Sequence, residues 1–139
     1  MSDEENRTLI RRFMDLYNEW DPNTLDEIVA EDFVDHNPGL GQDGHGAQTT
    51  KTAFALMISA FSGRTLTHDH ILSDGDMVAG QWTLRARHTG EILGVPATGK
   101  EVSIRWVSIW RIVDGRLHDR WGLLDRLGLL QQLGVVTSW

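Results

Sequence analysis

"EVSIRWVSIWRIVDGRLHDRWGLLD", residues 101 to 125, decides the architecture. Apolar and polar residues alternate on both sides of Asp114-Gly115, a dipeptide suited to a two-residue hairpin turn. Two antiparallel strands are expected, one over 101–113 and one starting at Arg116. If Val113 faces Arg116, Trp110 stands opposite Asp119, Ser108 opposite Trp121, Trp106 opposite Leu123 and Ile104 opposite Asp125. These residues share one face. Arg105, Arg111, Arg116, His118 and Arg120 take the other and belong in water. A bulge anywhere in the hairpin would exchange part of the two faces.

Moving outward, "MVAGQWTLRARHTGE" reads as the preceding strand, with Val78, Trp82, Leu84, Ala86 and His88 on the same inner face. "LTHDHILS" reads as the strand before it, joined through "DGD". Upstream the period changes. Leu9, Ile10, Phe13, Leu16, Tyr17 and Trp20 recur at three- and four-residue steps, predicting a helix over 3–20. "DPNTLDEIVA" restarts a helix, with Asp21 as N-cap and Pro22 in its first turn. Residues 47–61 read as a third helix. "RLGLLQQLG" closes the chain as a short helix ended by Gly134. Helices first and then an antiparallel meander make an α+β domain, with 1–139 expected as one domain.

Composition narrows the function. The chain has 139 residues, 40% hydrophobic and 24% charged, with net charge −7. That sign repels phosphate backbones, so nucleic acid is not an expected partner. There is no Cys, hence no thiolate nucleophile and no Cys-based zinc site. No apolar run reaches the roughly 18 residues of a membrane span. "MSDEENRTLI" is acidic and lacks a signal-peptide core, which suggests a cytoplasmic protein. Six Trp against one Tyr suit a cavity for a flat apolar ligand.

The stretch "HTGEILGVPATGKEVSIRWVSIWRIVDGRLHDRWGLLDRLGLLQQLG" resembles the C-terminal half of the SnoaL-like polyketide cyclases (ester cyclase-like proteins) of the NTF2-like superfamily. The shared pattern is "HTGE.LG.P.TGK", a "DG" hairpin, "W...D" and "GLL.QLG". "VDHNP" at 34–38 resembles the family's early His-Asn motif. The resemblance implies an NTF2-like cone: N-terminal helices packed on a curved, mostly antiparallel sheet, with a pocket between them. It implies an intramolecular aldol step on a polyketide ester, with an Asp on the last strand as general acid/base and an early Asn holding substrate. By motif position these are Asp125 and Asn37. The family's polar side chains on the penultimate strand are reduced here to Ser108.

Asp125 is thus expected as a pocket carboxylate whose pKa is raised among Trp and Leu side chains. It could take a proton alpha to a carbonyl and return it to the new alkoxide, without metal or cofactor. It could equally cap the terminal helix. Either His36 or Asn37 could face the pocket, and Asn37 could hold a developing enolate. Asn before Pro38 is also ordinary turn chemistry. His88 could orient Asp125 or donate to an oxyanion. Trp82, Trp106, Ser108, Trp110 and Trp121, with Tyr17 and Phe13 from the first helix, would line the cavity. "HDH" at 68–70 has metal-ligand spacing but no third ligand. "GLGQDGHG" is read as a flexible lip. Three functions fit: a cyclase, a related hydrolase, isomerase or dehydratase acting on a hydrophobic or aromatic metabolite, or a binding protein without chemistry. Members of the superfamily generally pair through their sheets. Val107, Ile109 and Leu124, read as facing outward, would suit a homodimer or homotetramer.

Overall fold

A computed structural model describes residues 2–39 and 44–136. Its elements are α1 (Asp3–Met14), a 3₁₀ turn (Asp15–Tyr17), α2 (Pro22–Ile28), β1 (Val29–Asp35), α3 (Ala47–Ala60), β2 (Phe61–Asp74), β3 (Met77–His88), β4 (Glu101–Val113), β5 (Arg116–Leu124) and α4 (Arg126–Gln132). The five strands form one sheet in the order β1-β5-β4-β3-β2. All neighbours are antiparallel except β1, which runs parallel to β5 at one edge. The helices pack on one face of this curved sheet, an α+β cone. One apolar core runs from Ile10 to Leu133 and includes Trp82, Trp106 and Trp110.

The helix starts follow from local chemistry. Ser2 and Glu5 form a reciprocal capping box at α1, and Asp21 accepts from the Asn23 N–H at α2, with Pro22 in the first turn. The long first helix read over 3–20 is shorter in the structure. After Met14 the chain tightens, and Asn18 turns onto the edge strand β2. Its Oδ1 accepts from the Leu66 N–H at 2.7 Å, and its Nδ2 donates to the Leu66 carbonyl at 3.4 Å. A side chain that doubles as a strand partner cannot also continue the helix surface, and it covers part of an exposed edge.

The hairpin at 114–115 forms as its sequence predicts, with φ of 51° at Asp114 and 74° at Gly115. Val113 pairs with Arg116 and Ile112 with Leu117. Then the register slips by one residue: Arg111 pairs with Asp119, Trp110 with Arg120, Ser108 with Gly122 and Trp106 with Leu124. His118 is the extra residue of a β-bulge. Because side chains alternate with period two, a one-residue slip exchanges the faces of everything beyond it. Arg120, Gly122 and Leu124 therefore face inward. Asp119, Trp121 and Leu123 face outward. The straight-register assignment holds for β3 and β4 and fails for most of β5.

Candidate active site

β1 and β5 build the polar end of the cavity. On β1, Phe33 and Asp35 alternate inward and are both buried. Asp35 is the register partner of Arg120, so parallel pairing brings the two side chains together. The Arg120 Nη1 donates to Asp35 Oδ1 at 3.1 Å and to Oδ2 at 3.0 Å. The Arg120 Nη2 donates to Ser108 Oγ at 3.2 Å. The Asn37 backbone N–H adds a bond to Asp35 Oδ1 at 3.0 Å. A carboxylate with 9% of its side-chain surface exposed needs such compensation to stay charged. Asn37 in turn accepts from the Gly122 N–H through its Oδ1 at 3.1 Å.

The rest of the cavity is apolar. It measures about 360 Å³ and is lined by Phe13, Met14 and Tyr17 of the first helical segment, Phe54 and Met57 of α3, and Trp106, Trp110 and Leu124 of the sheet, among others. Its rings lock edge to face: Phe13 on Trp110 at 6.2 Å and Tyr17 on Trp106 at 5.7 Å. Burial pushes the Tyr17 phenol up to about 12; the Arg120 charge works against that rise and the Asp35 charge adds to it. Tyr17 therefore stays a neutral O–H donor. Asn37, Pro38, Gly39 and Arg126 sit at the rim, where Arg126 donates to the Gly39 carbonyl.

The candidate residues separate into groups. Phe13, Tyr17, Asn37, Trp106 and Trp110 line the cavity. Ser108 lies buried behind Arg120 and anchors it. Trp82 forms a second layer, edge-on to Trp110 at 5.1 Å, with its indole N–H donating to His68 Nδ1 at 3.0 Å. The bulge takes two candidates out of the cavity. Trp121 is on the outer face, stacked on His36 at 4.6 Å with ring planes 4° apart. His36 follows it there, with Nε2 2.9 Å from Asp119 Oδ1. Asp125 is exposed and accepts the Gly128 N–H at 2.9 Å as the N-cap of α4. It does not line the cavity, and of its two sequence readings the structure builds the cap.

His88 is fully buried at the far end of β3. Its Nδ1 accepts the Thr98 N–H at 3.2 Å and lies 3.0 Å from Thr98 Oγ1, so it clasps the β3–β4 connection rather than the cavity. A further bulge, between His68 and His70, puts the two His of "HDH" on opposite faces. His68 binds Trp82 and, through Nε2, Asp15 Oδ1 at 2.7 Å. Part of the Gly-rich lip, residues 40–43, lies outside the described residues. Leu124, read as outward, lines the cavity, and Leu123 takes its place outside.

Asp35 and Arg120 were missed by the sequence reading. The alternation Phe33-x-Asp35 was a signal for the first. Arg120 becomes visible only once the bulge is known.

Comparison with known proteins gives a consistent picture. The family model described as SnoaL-like polyketide cyclase matches residues 7–133. The aklanonic acid methyl ester cyclase DauD of Streptomyces sp. strain C5 is 30% identical over 117 residues, covering 80% of this chain and 70% of that protein. The nogalonic acid methyl ester cyclase of Streptomyces nogalater is 32% identical over 108 residues, covering 74% of this chain and 78% of that one. The structure of TsrD from Streptomyces laurentii superposes with a TM-score of 0.88 at 30% identity, covering 98% of this chain and 99% of that chain.

Proposed function

The chain belongs to the SnoaL-like polyketide cyclase family, and from that premise we propose that it closes a ring in a polyketide ester by an intramolecular aldol step, without a cofactor. The observation that carries this reading is the largely buried ion pair Asp35–Arg120 at the end of an otherwise mostly apolar cavity. Asp35 is the carboxylate among the described lining residues, and its Oδ2 accepts from Arg120 Nη1. In this reading Asp35 takes the proton from the carbon alpha to a substrate carbonyl. The enolate carbon attacks the second carbonyl, forming the carbon–carbon bond. Asp35 then returns its proton to the new alkoxide, so product and substrate have equal mass.

The developing enolate oxygen needs donors. Of the five N–H groups of Arg120, those bonds use three at most; Nε–H and one Nη2 hydrogen have no partner among the described residues. Tyr17 adds its phenol. With Arg126 at the rim, the described lining residues carry two cations for one carboxylate, a balance that favours an anionic transition state. Positioned acid/base catalysis of this kind is worth roughly 10²- to 10⁴-fold, and holding both reacting carbons in one cavity adds more.

Aklanonic acid methyl ester, the substrate class named for the relative, is the first compound to test. The expected result is a mass-neutral cyclised product from wild type, and intact bound ester with Asp35→Asn. A free acid lighter by one CH2, with methanol released, would indicate a hydrolase instead. Tight binding with unchanged ester by both proteins would indicate a carrier.

We also propose that the protein self-associates through the outer sheet face. Leu72 and Leu123 are each 70% exposed, Val107 50% and Ile109 43%, and they adjoin Trp121 in one shallow apolar depression. Light scattering of wild type should give a dimer or tetramer, and Leu123→Asp a smaller species. A monomeric wild type would refute this.

A further inference from the structure

We propose that Gly122 is a positioning residue: the space left by its missing side chain is the seat on which the Arg120 guanidinium lies, held between Asp35 and Ser108. This rests on the reading of Arg120 as the group that meets the substrate's developing charge.

Gly122 sits inside a strand, without the positive φ that usually calls for glycine. In such a position glycine is destabilising relative to alanine. Backbone bonding does not require it either, since the Gly122 N–H that donates to Asn37 would be present in any residue except proline. What requires it is space. A Cβ placed on Gly122 would stand 2.5 Å from Arg120 Nη2, 2.7 Å from Arg120 Cζ and 2.8 Å from Ser108 Oγ. Those distances are well inside van der Waals contact. The guanidinium therefore lies along its own strand, over the residue two positions on.

The same device recurs two strands away. A Cβ on Gly80 would stand 2.0 Å from Trp82 Cη2. Gly80 pairs with Ser108, and Ser108 with Gly122. The three small residues form a trough across the inner face of β3, β4 and β5. The Trp82 indole occupies one end and the Arg120 guanidinium the other. Ser108, in the middle, gives the guanidinium its second anchor.

A methyl group at position 122 would lift the guanidinium off the sheet and away from both anchors. Arginine's long side chain could absorb that shift, so the fold should survive it while the geometry of the site does not.

The test uses wild type, Gly122→Ala, Arg120→Ala and the double variant, with thermal unfolding and millimolar methylguanidinium as probe. Alanine at 122 should lower the midpoint by a few degrees (about 2–6 °C) when Arg120 is present, and leave it unchanged or raise it when Arg120 is absent. Methylguanidinium should raise the midpoint of Arg120→Ala saturably and restore at least tenfold of its lost turnover. It should do neither in the double variant, where the seat is filled. Equal midpoint shifts in both backgrounds, or equal action of methylguanidinium on both Arg120→Ala proteins, would overturn the proposal. Should Arg120→Ala not fold, the Arg120 Nη–H resonances supply the readout: protected from exchange in wild type and unprotected in Gly122→Ala if the seat is real, unchanged if it is not. The thermal and exchange arms need no turnover. Their success with no cyclised product would leave the seat standing and refute the cyclase reading.

Discussion

Between Arg116 and Leu117, β5 turns its odd-numbered residue to the core; from Asp119 to Leu124 it turns its even-numbered ones. The first part is an ordinary hairpin end, with Leu117 fully buried against Ile112. The second part is inverted: an arginine and a glycine face inward, while a tryptophan and a leucine face out. The difference teaches that the inner row of this strand cannot be read by carrying one alternation through it: one extra residue, His118, breaks the parity between the hairpin end and the pocket wall.

The most severe way to break that contrast is to insert one residue between Asp119 and Arg120. With the bulge and the pairing before it kept, every later residue would turn over, placing Trp121 and Leu123 in the cavity and Arg120 outside, away from Asp35. Urea unfolding should show a loss of more than about 4 kcal/mol, or no folded protein. Asp35→Ala comes next. Removing one partner of a buried pair leaves Arg120 uncompensated, at a cost of about 3–5 kcal/mol, and turnover should vanish with it. Asp125→Ala tests the other side of the contrast. It should cost about 1 kcal/mol through the lost helix cap and leave turnover at the wild-type level. A large loss of turnover in a folded Asp125→Ala protein would reinstate the carboxylate expected from the family pattern.

The smallest effect is a pH dependence on the outer face. Burial tends to raise the Asp119 pKa, but hydrogen bonds from His36 and Arg111, with their charges, outweigh it and hold the carboxyl below its ordinary value. Arg111 Nε donates to Asp119 Oδ2 at 2.6 Å. A carboxyl depressed in the folded state stabilises the protein above its unfolded pKa, and that contribution is lost as pH falls through the folded value. The urea midpoint should therefore fall on acidification through the carboxylate range, and fall less steeply in Asp119→Asn. Parallel curves would show that the chain His36–Asp119–Arg111 contributes nothing.

Much of the fold was legible in the chain. The period change from helix to strand, the Asp114-Gly115 turn, the Asp21-Pro22 helix start and the inner faces of β3 and β4 follow from local rules that the structure obeys. The family resemblance added the cone and the pocket. The site was less legible because its assembly depends on register, which is not a local property. Reading apolar residues as interior works when only one face of a sheet is apolar. Here Trp121 and Leu123 are apolar on the outside, so the pattern favoured the wrong face of β5, and Asp125 seemed to share a buried row it never joins. Asp35 depends on β1 pairing in parallel with β5, a contact between residues 85 positions apart that spacing cannot reveal.

The bulge also bears on how such a pocket changes through evolution. A point substitution alters one wall residue at a time. A codon gained or lost at His118 can instead be absorbed by the bulge, with every later residue keeping its partner and its face. Two related chains can then differ in length along this strand and still present the same wall to their ligands.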